Sequence, residues 1–195
     1  MVFVRPTSIA LPRPVLVGDS VVLRPPSTLD YEAWADLRDA SRKQLTPFEP
    51  KWTEDELSRT AFKARLRRYH YEARNDFGHA FFVFDTGGRT LMGGITLSCV
   101  RRGVSQSAYV GYWIGSIFAG RGLATAALRR LVDYAFDDLH LHRVEAACMP
   151  ANTGSIRVLR KNGFLREGLA RRYLEIDGAW EDHLQYALLA EDRPA

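Results

Sequence analysis

Two glycines flank an arginine at Gly120-Arg121-Gly122, between an aromatic and β-branched run at 109–114 and a long amphipathic segment that starts at Leu123. Strand, glycine-rich turn and helix start, in that order, can build an anion site. The first turn of a helix has backbone N–H groups without internal partners, and the helix dipole adds partial positive charge there. Glycine lets a phosphate approach those groups closely, and Arg121 contributes a full charge. The chemistry expected here is a phosphate or pyrophosphate cradle; the plainer alternative is a loop that only precedes a helix. A P-loop would need G-x-x-x-x-G-K-[ST], which the sequence lacks. A dinucleotide fingerprint would need G-x-G-x-x-G, or a small residue at its end, early in a repeated βαβ pattern. This run ends in Thr125 and follows three strands that read as antiparallel. Cys99 and Cys148 have no C-x-x-C spacing, so neither a metal site nor a disulfide framework is supported.

The elements that must position the cradle follow from hydrophobic period and punctuation. Residues 1–14 are proline-spaced and read as an extended lead-in. A strand over 20–24 ends at Pro25-Pro26. Ser27 or Thr28 caps a helix to about Lys43, with Leu29, Ala33, Trp34, Leu37 and Ala40 on one face. Residues 45–52, with two prolines, read as a loop. Thr53 and Glu56 match a capping box that opens a charged helix over 54–75. Its apolar stripe is Leu57, Ala61, Leu66 and Tyr69, with Arg65, Arg67 and Arg68 toward the outside. Strands follow over 79–85, 90–100 and 105–114, with Gly87-Gly88 as a hairpin signal and Gly93-Gly94 allowing a bend or bulge.

The helix after Gly122 carries Leu123, Ala127, Leu128, Leu131, Val132, Ala135 and Phe136 at helical spacing. A strand over 143–148 leads to a short helix capped by Asn152 and ended at Asn162-Gly163. Two last strands, 164–176 and 180–189, are joined at the hairpin turn Asp177-Gly178. The order β-α-α-β-β-β-α-β-α-β-β predicts an α/β (α+β) fold, with a mixed, mostly antiparallel central sheet flanked by helices. Without linker or repeat, residues 1–195 read as one domain.

Four groups of residues make the chain resemble the GNAT superfamily of acetyl-CoA-dependent N-acetyltransferases. They are Gly111-Tyr112-Trp113-Ile114; Gly120 through Thr125; Asn152-Thr153-Gly154-Ser155 with Leu159 and Asn162-Gly163-Phe164; and Glu167-Gly168-Leu169-Ala170 with Tyr173 and the D-G-x-W-x-D-H run from Asp177 to His183. The first three are widespread in such enzymes, and the last is similar to the RimJ/RimL group, which acetylates the α-amino groups of ribosomal-protein N-termini. The resemblance implies that the turn at Gly120, Arg121, Gly122, Leu123, Ala124 and Thr125 binds the pyrophosphate of acetyl-CoA. It further implies that Asn152 contacts this cofactor; the reaction chemistry adds the strand end over 111–114, including Trp113 and Ile114, as a source of an oxyanion N–H donor and of pairing with the pantetheine amides. The superfamily pattern Q/R-x-x-G-x-G/A runs here from Ala119 to Ala124; Gly122 and Ala124 fit, and Ala119 departs. Ser155 matches a serine proposed as the proton donor to the leaving thiolate and as a cofactor neighbour. The glutamate proposed as base falls at Leu174, with Glu175 beside it, so Glu175 is the candidate. Asp182, His183, Glu145 and Glu49 stay open for that role. Taken alone, Ser155 reads as a solvated helix residue, His183 as structural, and Tyr112 and Trp113 as core aromatics whose backbone is what matters.

The reaction chemistry agrees. A protein α-amino group has a pKa of ~7.7–8.0, so part of it is neutral near pH 7, whereas a lysine at ~10.4 asks more of a base. The leaving thiolate, from a thiol near ~8.5, benefits from a proton donor, and the tetrahedral oxyanion needs N–H donors. The chain has 46% hydrophobic and 26% charged residues and a net charge of +4. That balance suits an anionic ligand, an acidic partner or RNA. No apolar run approaches a membrane span or a signal-peptide core, so a cytoplasmic protein without membrane or DNA partners is expected, monomeric or homodimeric. The expected function is acetyl transfer to a protein N-terminus, that of a ribosomal protein beginning with alanine, with possible ribosome association. Two alternatives are a GNAT enzyme for a small amine and a ribosome- or RNA-associated protein that keeps the fold. The second draws on Arg65–Arg68, Arg101-Arg102 and Arg171-Arg172 but lacks an RNP1 signature.

Overall fold

A computed structural model describes residues 14–193. The expected lead-in lies outside them apart from Pro14. One eight-stranded sheet runs in the order β1-β2-β3-β4-β5-β6-β8-β7. Its strands are β1 (Leu16–Val17), β2 (Val22–Arg24), β3 (His79–Phe84), β4 (Leu91–Arg101), β5 (Ser107–Ile114), β6 (Arg143–Cys148), β7 (Leu165–Ile176) and β8 (Ala179–Leu189). Every pair is antiparallel except β5 with β6. Helices α1 (Tyr31–Ala40), α2 (Arg42–Leu45) and α3 (Arg59–Arg74) precede β3; α4 (Leu123–Asp133) and α5 (Thr153–Lys161) flank β6. No helix among the described residues is long and apolar enough to cross a membrane.

Strand alternation divides the core in two. On one face, α4 packs Ala127, Leu128, Leu131 and Val132 against Phe81, Ile95, Ala108, Val110, Val144, Ala146 and Leu184. On the other, α1 and α3 bring Trp34, Leu37, Phe62 and Leu66 against Phe82, Phe84 and Leu91. Trp34 and Phe62 have ring centroids 4.8 Å apart, and Phe62 stacks on Phe82 at 6.4 Å.

Several boundaries differ from the sequence expectation. The first helix begins as a 3₁₀ turn, Thr28–Asp30, closed by a capping box between Ser27 and Asp30. Leu29 is 92% exposed, because this turn precedes the α-helical register. Ala33 and Ala40 are also exposed, and the buried face is Trp34, Leu37 and Arg38. Ser41 ends α1: its Oγ donates back to the Leu37 carbonyl at 2.7 Å. The 54–75 helix starts later, at Arg59, with Ser58 Oγ accepting from the Ala61 N–H at 3.0 Å. Glu56 does not complete a box with Thr53 because its carboxylate pairs with Arg65, which lies inside against Trp34. Phe62, absent from the expected stripe, sets the face of α3. Gly93 and Gly94 serve close packing more than a bend: a Cβ on Gly93 would stand 2.3 Å from the Trp113 carbonyl oxygen, and one on Gly94 2.6 Å from the Trp113 indole nitrogen.

Candidate functional site

The parallel pair β5–β6 is short. Its register covers only Ser107–Arg143, Ala108–Val144 and Tyr109–Glu145. Beyond it, β5 stays paired with β4 to Ile114 and β6 stays paired with β8 to Cys148, so the two strands part and leave an opening in the sheet. Main-chain directions follow from the ladder, since N–H and C=O of one residue point to the same side and alternate along a strand. The Gly115 N–H donates to the Met92 carbonyl, so Gly111 and Trp113 are turned toward β4. Val110, Tyr112 and Ile114 therefore turn toward the opening; the Ile114 carbonyl there accepts from Gln44 Nε2 at 3.2 Å. On β6 the Ala190 N–H donates to the His142 carbonyl, which turns Ala147 toward the opening. Of the strand end expected to offer its backbone here, Tyr112 and Ile114 turn their main-chain groups to the opening, whereas those of Trp113 face β4 and its ring packs with the α1–α3 core.

The opening widens into a cleft of about 680 Å³. Tyr112, Cys148 and Ser155 line it from the α4–α5 face, and Trp113, Glu49 and His183 from the α1–α3 face. Such a cleft can receive one reactant from each face of the sheet.

At one end lies the glycine turn. Gly120 and Gly122 have φ of +77° and +78°, the left-handed region that glycine occupies without strain. A Cβ on either would meet nothing within 4 Å, so the backbone conformation requires glycine and the space beside it is open. Gly122 caps α4, and the first helical bond runs from the Ala126 N–H to the Gly122 carbonyl. The N–H groups of Leu123, Ala124 and Thr125 thus have no helical acceptor, and these residues line the cleft with Gly120. Arg121 does not line it: its guanidinium is exposed and donates to the Ile117 carbonyl at 2.9 Å. The cations that do line the cleft are Arg157 and Lys161 of α5. Lys161 also borders, with Arg129 and Arg130 of α4, an adjoining hollow of about 530 Å³. The sequence signal that could have found them is their i, i+4 spacing, which puts Arg157 and Lys161 on one side of a helix.

Ser155 sits in the first turn of α5. Asn152 Oδ1 caps that turn by accepting from the Ser155 N–H at 3.0 Å. Tyr112 Oη lies 2.9 Å from Ser155 Oγ. Burial pushes the Tyr112 phenol well above its ordinary range, so it remains a neutral hydroxyl. If Tyr112 donates, the Ser155 proton is directed into the cleft. Burial also raises the Cys148 thiol, partly offset by a hydrogen bond with Ser155, so Cys148 is held as a neutral neighbour. Tyr112, read from sequence as a core aromatic, is the residue that orients Ser155.

Of the carboxylates, Glu175 is not brought to the cleft; it is exposed on β7 opposite Trp180. Glu49 is in the cleft wall. Arg38 holds both of its oxygens, at 2.8 and 2.7 Å, and Trp52 Nε1 donates to Oε2 at 2.8 Å. Arg38 is itself only 5% exposed and lies 4.4 Å from the Trp52 ring centroid. Glu145 pairs with Arg143, and Asp182 Oδ1 accepts from the Arg172 N–H at 2.8 Å. No group of three or more metal-ligating side chains occurs among the described residues.

A family model described as an acetyltransferase (GNAT) domain matches residues 20–165. The chain is 36% identical over 178 residues to the probable N-acetyltransferase YjcK of Bacillus subtilis (strain 168), covering 91% of this chain and 98% of that protein. It is 34% identical over 184 residues to the ribosomal protein uS5-alanine N-acetyltransferase of Escherichia coli (strain K12), covering 93% and 94%. Among solved structures, Mycobacterium smegmatis RimJ in complex with CoA-disulfide superimposes with a TM-score of 0.86 at 39% identity, covering 93% of this chain and 88% of that one.

Proposed function

The chain belongs to the GNAT acetyltransferase family, and from that premise we propose that it transfers the acetyl group of acetyl-CoA to the N-terminal amine of a protein, a ribosomal protein beginning with alanine. The relatives just described support this substrate class. The observation that carries the chemistry is the parting of β5 and β6 beside the first turn of α4. The N–H groups of Leu123, Ala124 and Thr125 cradle the pyrophosphate, with Arg157 and Lys161 adding charge. The pantetheine arm enters the opening and pairs with the free main-chain groups of β5 and β6, which places the thioester between the two faces of the sheet. Residues 1–195 act as one acetyltransferase domain.

The amine arrives from the α1–α3 face and attacks the thioester carbonyl carbon. The oxygen becomes an oxyanion, and N–H groups of β5 turned into the opening stabilise it in a water-poor site. The C–S bond then breaks, and Ser155 gives its proton to the departing sulfur while accepting a hydrogen bond from Tyr112. This order uses the cleft as built: donor and proton source on one face, acceptor on the other.

The test is a panel of N-terminal peptides and small amines incubated with acetyl-CoA and followed by mass. Acetylation at the α-nitrogen of alanine-initiated peptides is the expected result. Turnover confined to small amines would refute the protein-substrate reading.

A further inference from the structure

We infer that His183 is the proton acceptor for the incoming amine, an inference that rests on the acetyl-transfer reading above. His183 lies on β8 between Asp182 and Leu184, and alternation puts it on the face opposite Leu184, the amine side of the cleft that it lines. The ring is 3% exposed and held in one orientation. Its Nδ1 lies 2.9 Å from the Glu181 carbonyl oxygen. A carbonyl can only accept, so the proton sits on Nδ1 and the lone pair of the neutral ring sits on Nε2. Nε2 makes no hydrogen bond among the described residues. Tyr173 of β7 packs edge-on against the imidazole, with centroids 5.9 Å apart. A strand ladder, the Glu181 carbonyl and the Tyr173 ring thus hold an imidazole in place, with its accepting nitrogen unpartnered.

The other candidates are occupied. The oxygens of Glu49 are taken by Arg38 and Trp52, Glu145 by Arg143, and one oxygen of Asp182 by the Arg172 N–H. Glu175 stands outside the cleft. The charged and titratable groups nearest His183 are Tyr173 and Arg172 on β7, Glu181 and Asp182 on β8, Cys148 on β6 opposite Leu184, and Glu49 with Arg38 in the cleft wall. In the reaction the amine nitrogen bonds to the acetyl carbon and its proton passes to His183 Nε2. The C–S bond breaks and sulfur takes the Ser155 proton. After release, His183 loses its proton to solvent and Ser155 regains one, so proton and charge balance.

The experiment compares wild type with His183→Asn, whose side-chain amide can keep a donor near the place of Nδ1–H but has nothing at Nε2, and with His183→Ala. Rates are read on whichever amine the wild-type protein acetylates fastest in the peptide and small-amine panel, so a wrong acceptor class leaves the test intact. The His183→Asn protein should bind acetyl-CoA and melt as wild type does. Its kcat should fall by about 10²-fold while KM for the amine stays near the wild-type value. Added imidazole should restore turnover to His183→Ala. Unchanged kcat in His183→Asn would overturn the assignment. A loss that imidazole does not restore would overturn it too, and would make the residue structural.

Discussion

Ser155 shows how little a single residue type says about its role. On α5 alone it is one hydroxyl in a helix's first turn. Its chemistry comes from Asn152, which fixes the turn through the Ser155 N–H, and from Tyr112, brought 2.9 Å from Oγ although it is 43 residues away in sequence. Ser155→Ala should therefore lower kcat by about 10²-fold and leave acetyl-CoA affinity within about twofold, measured by single-turnover kinetics and calorimetry. Tyr112→Phe should cost about tenfold and add nothing in the Ser155→Ala background, because the phenol acts through the serine. Full additivity would show that Tyr112 works independently. Arg121 is the converse case. Its charge stood out in the sequence, yet its guanidinium is tied to the Ile117 carbonyl, while Arg157 and Lys161 line the cleft.

At the scale of elements, the proposed cradle depends on backbone conformation more than on side chains. Gly122 caps α4 with φ of +78°, and the following N–H groups point away from the helix. Gly122→Ala should destabilise the protein by about 1–2 kcal/mol, the cost of a left-handed alanine. It should weaken acetyl-CoA binding more than Ala119→Gln changes it, as checked by thermal melts with and without ligand. In the proposed cradle, which relies on main-chain amides, the departure at Ala119 is mild for the same reason. The neighbouring turn is anchored from the other core. Ser41, which ends α1, accepts from the Ser116 N–H at 2.8 Å, and Leu37 fills the space a Cβ on Gly115 would need. The loop carrying Glu49 is tied to the last hairpin by the Asp177 N–H, which donates to the Glu49 carbonyl at 3.0 Å. The glycine turn and the Glu49 wall of the cleft are thus linked through α1 and the β7–β8 turn.

For the whole molecule, the site is a gap in a sheet that is otherwise continuous from β1 to β7. A ligand that fills it binds only the folded chain, so acetyl-CoA at 100 times its Kd should stabilise by about 2.7 kcal/mol and raise Tm by about 5–10 °C. No shift would be incompatible with the proposed cofactor. Acid sensitivity has an identifiable contributor far from the cleft. Burial pushes the Asp30 carboxyl up, but Arg24 and the Ser27 N–H and hydroxyl outweigh it and hold the group below its ordinary value of 3.8. A carboxyl depressed in the folded state stabilises fully above its unfolded pKa of about 3.9, and that contribution is lost as pH falls through the folded value. Asp30→Asn should lower stability at pH 7 by about 2–3 kcal/mol, and the gap to wild type should close as melts are taken from pH 5 down to about pH 2.

Element order, the glycine turn, the Asp177-Gly178 hairpin and the caps at Asn152 and Asn162-Gly163 were legible in sequence because each is a local matter of backbone preference and hydrophobic period. Boundaries failed where a capping side chain found another bond: Glu56 pairs with Arg65 in place of Thr53, and Ser41 bonds back to Leu37 and ends the helix early. Strand pairing was beyond sequence for a stronger reason. Which amides of β5 face the opening depends on its antiparallel register with β4 and on the loss of pairing with β6 after Tyr109, contacts made across 6 to 36 residues of chain. The choice among carboxylates and His183 was equally out of reach, because a strand residue's face is set by register and its availability by who already holds its polar atoms. The sequence by itself determined the elements, the anion-binding turn and the family chemistry. Only the tertiary structure decided that β5 and β6 part, that Tyr112 meets Ser155, and that Glu49 and His183, not Glu175, border the cleft, because those facts exist only once long-range pairing has been made.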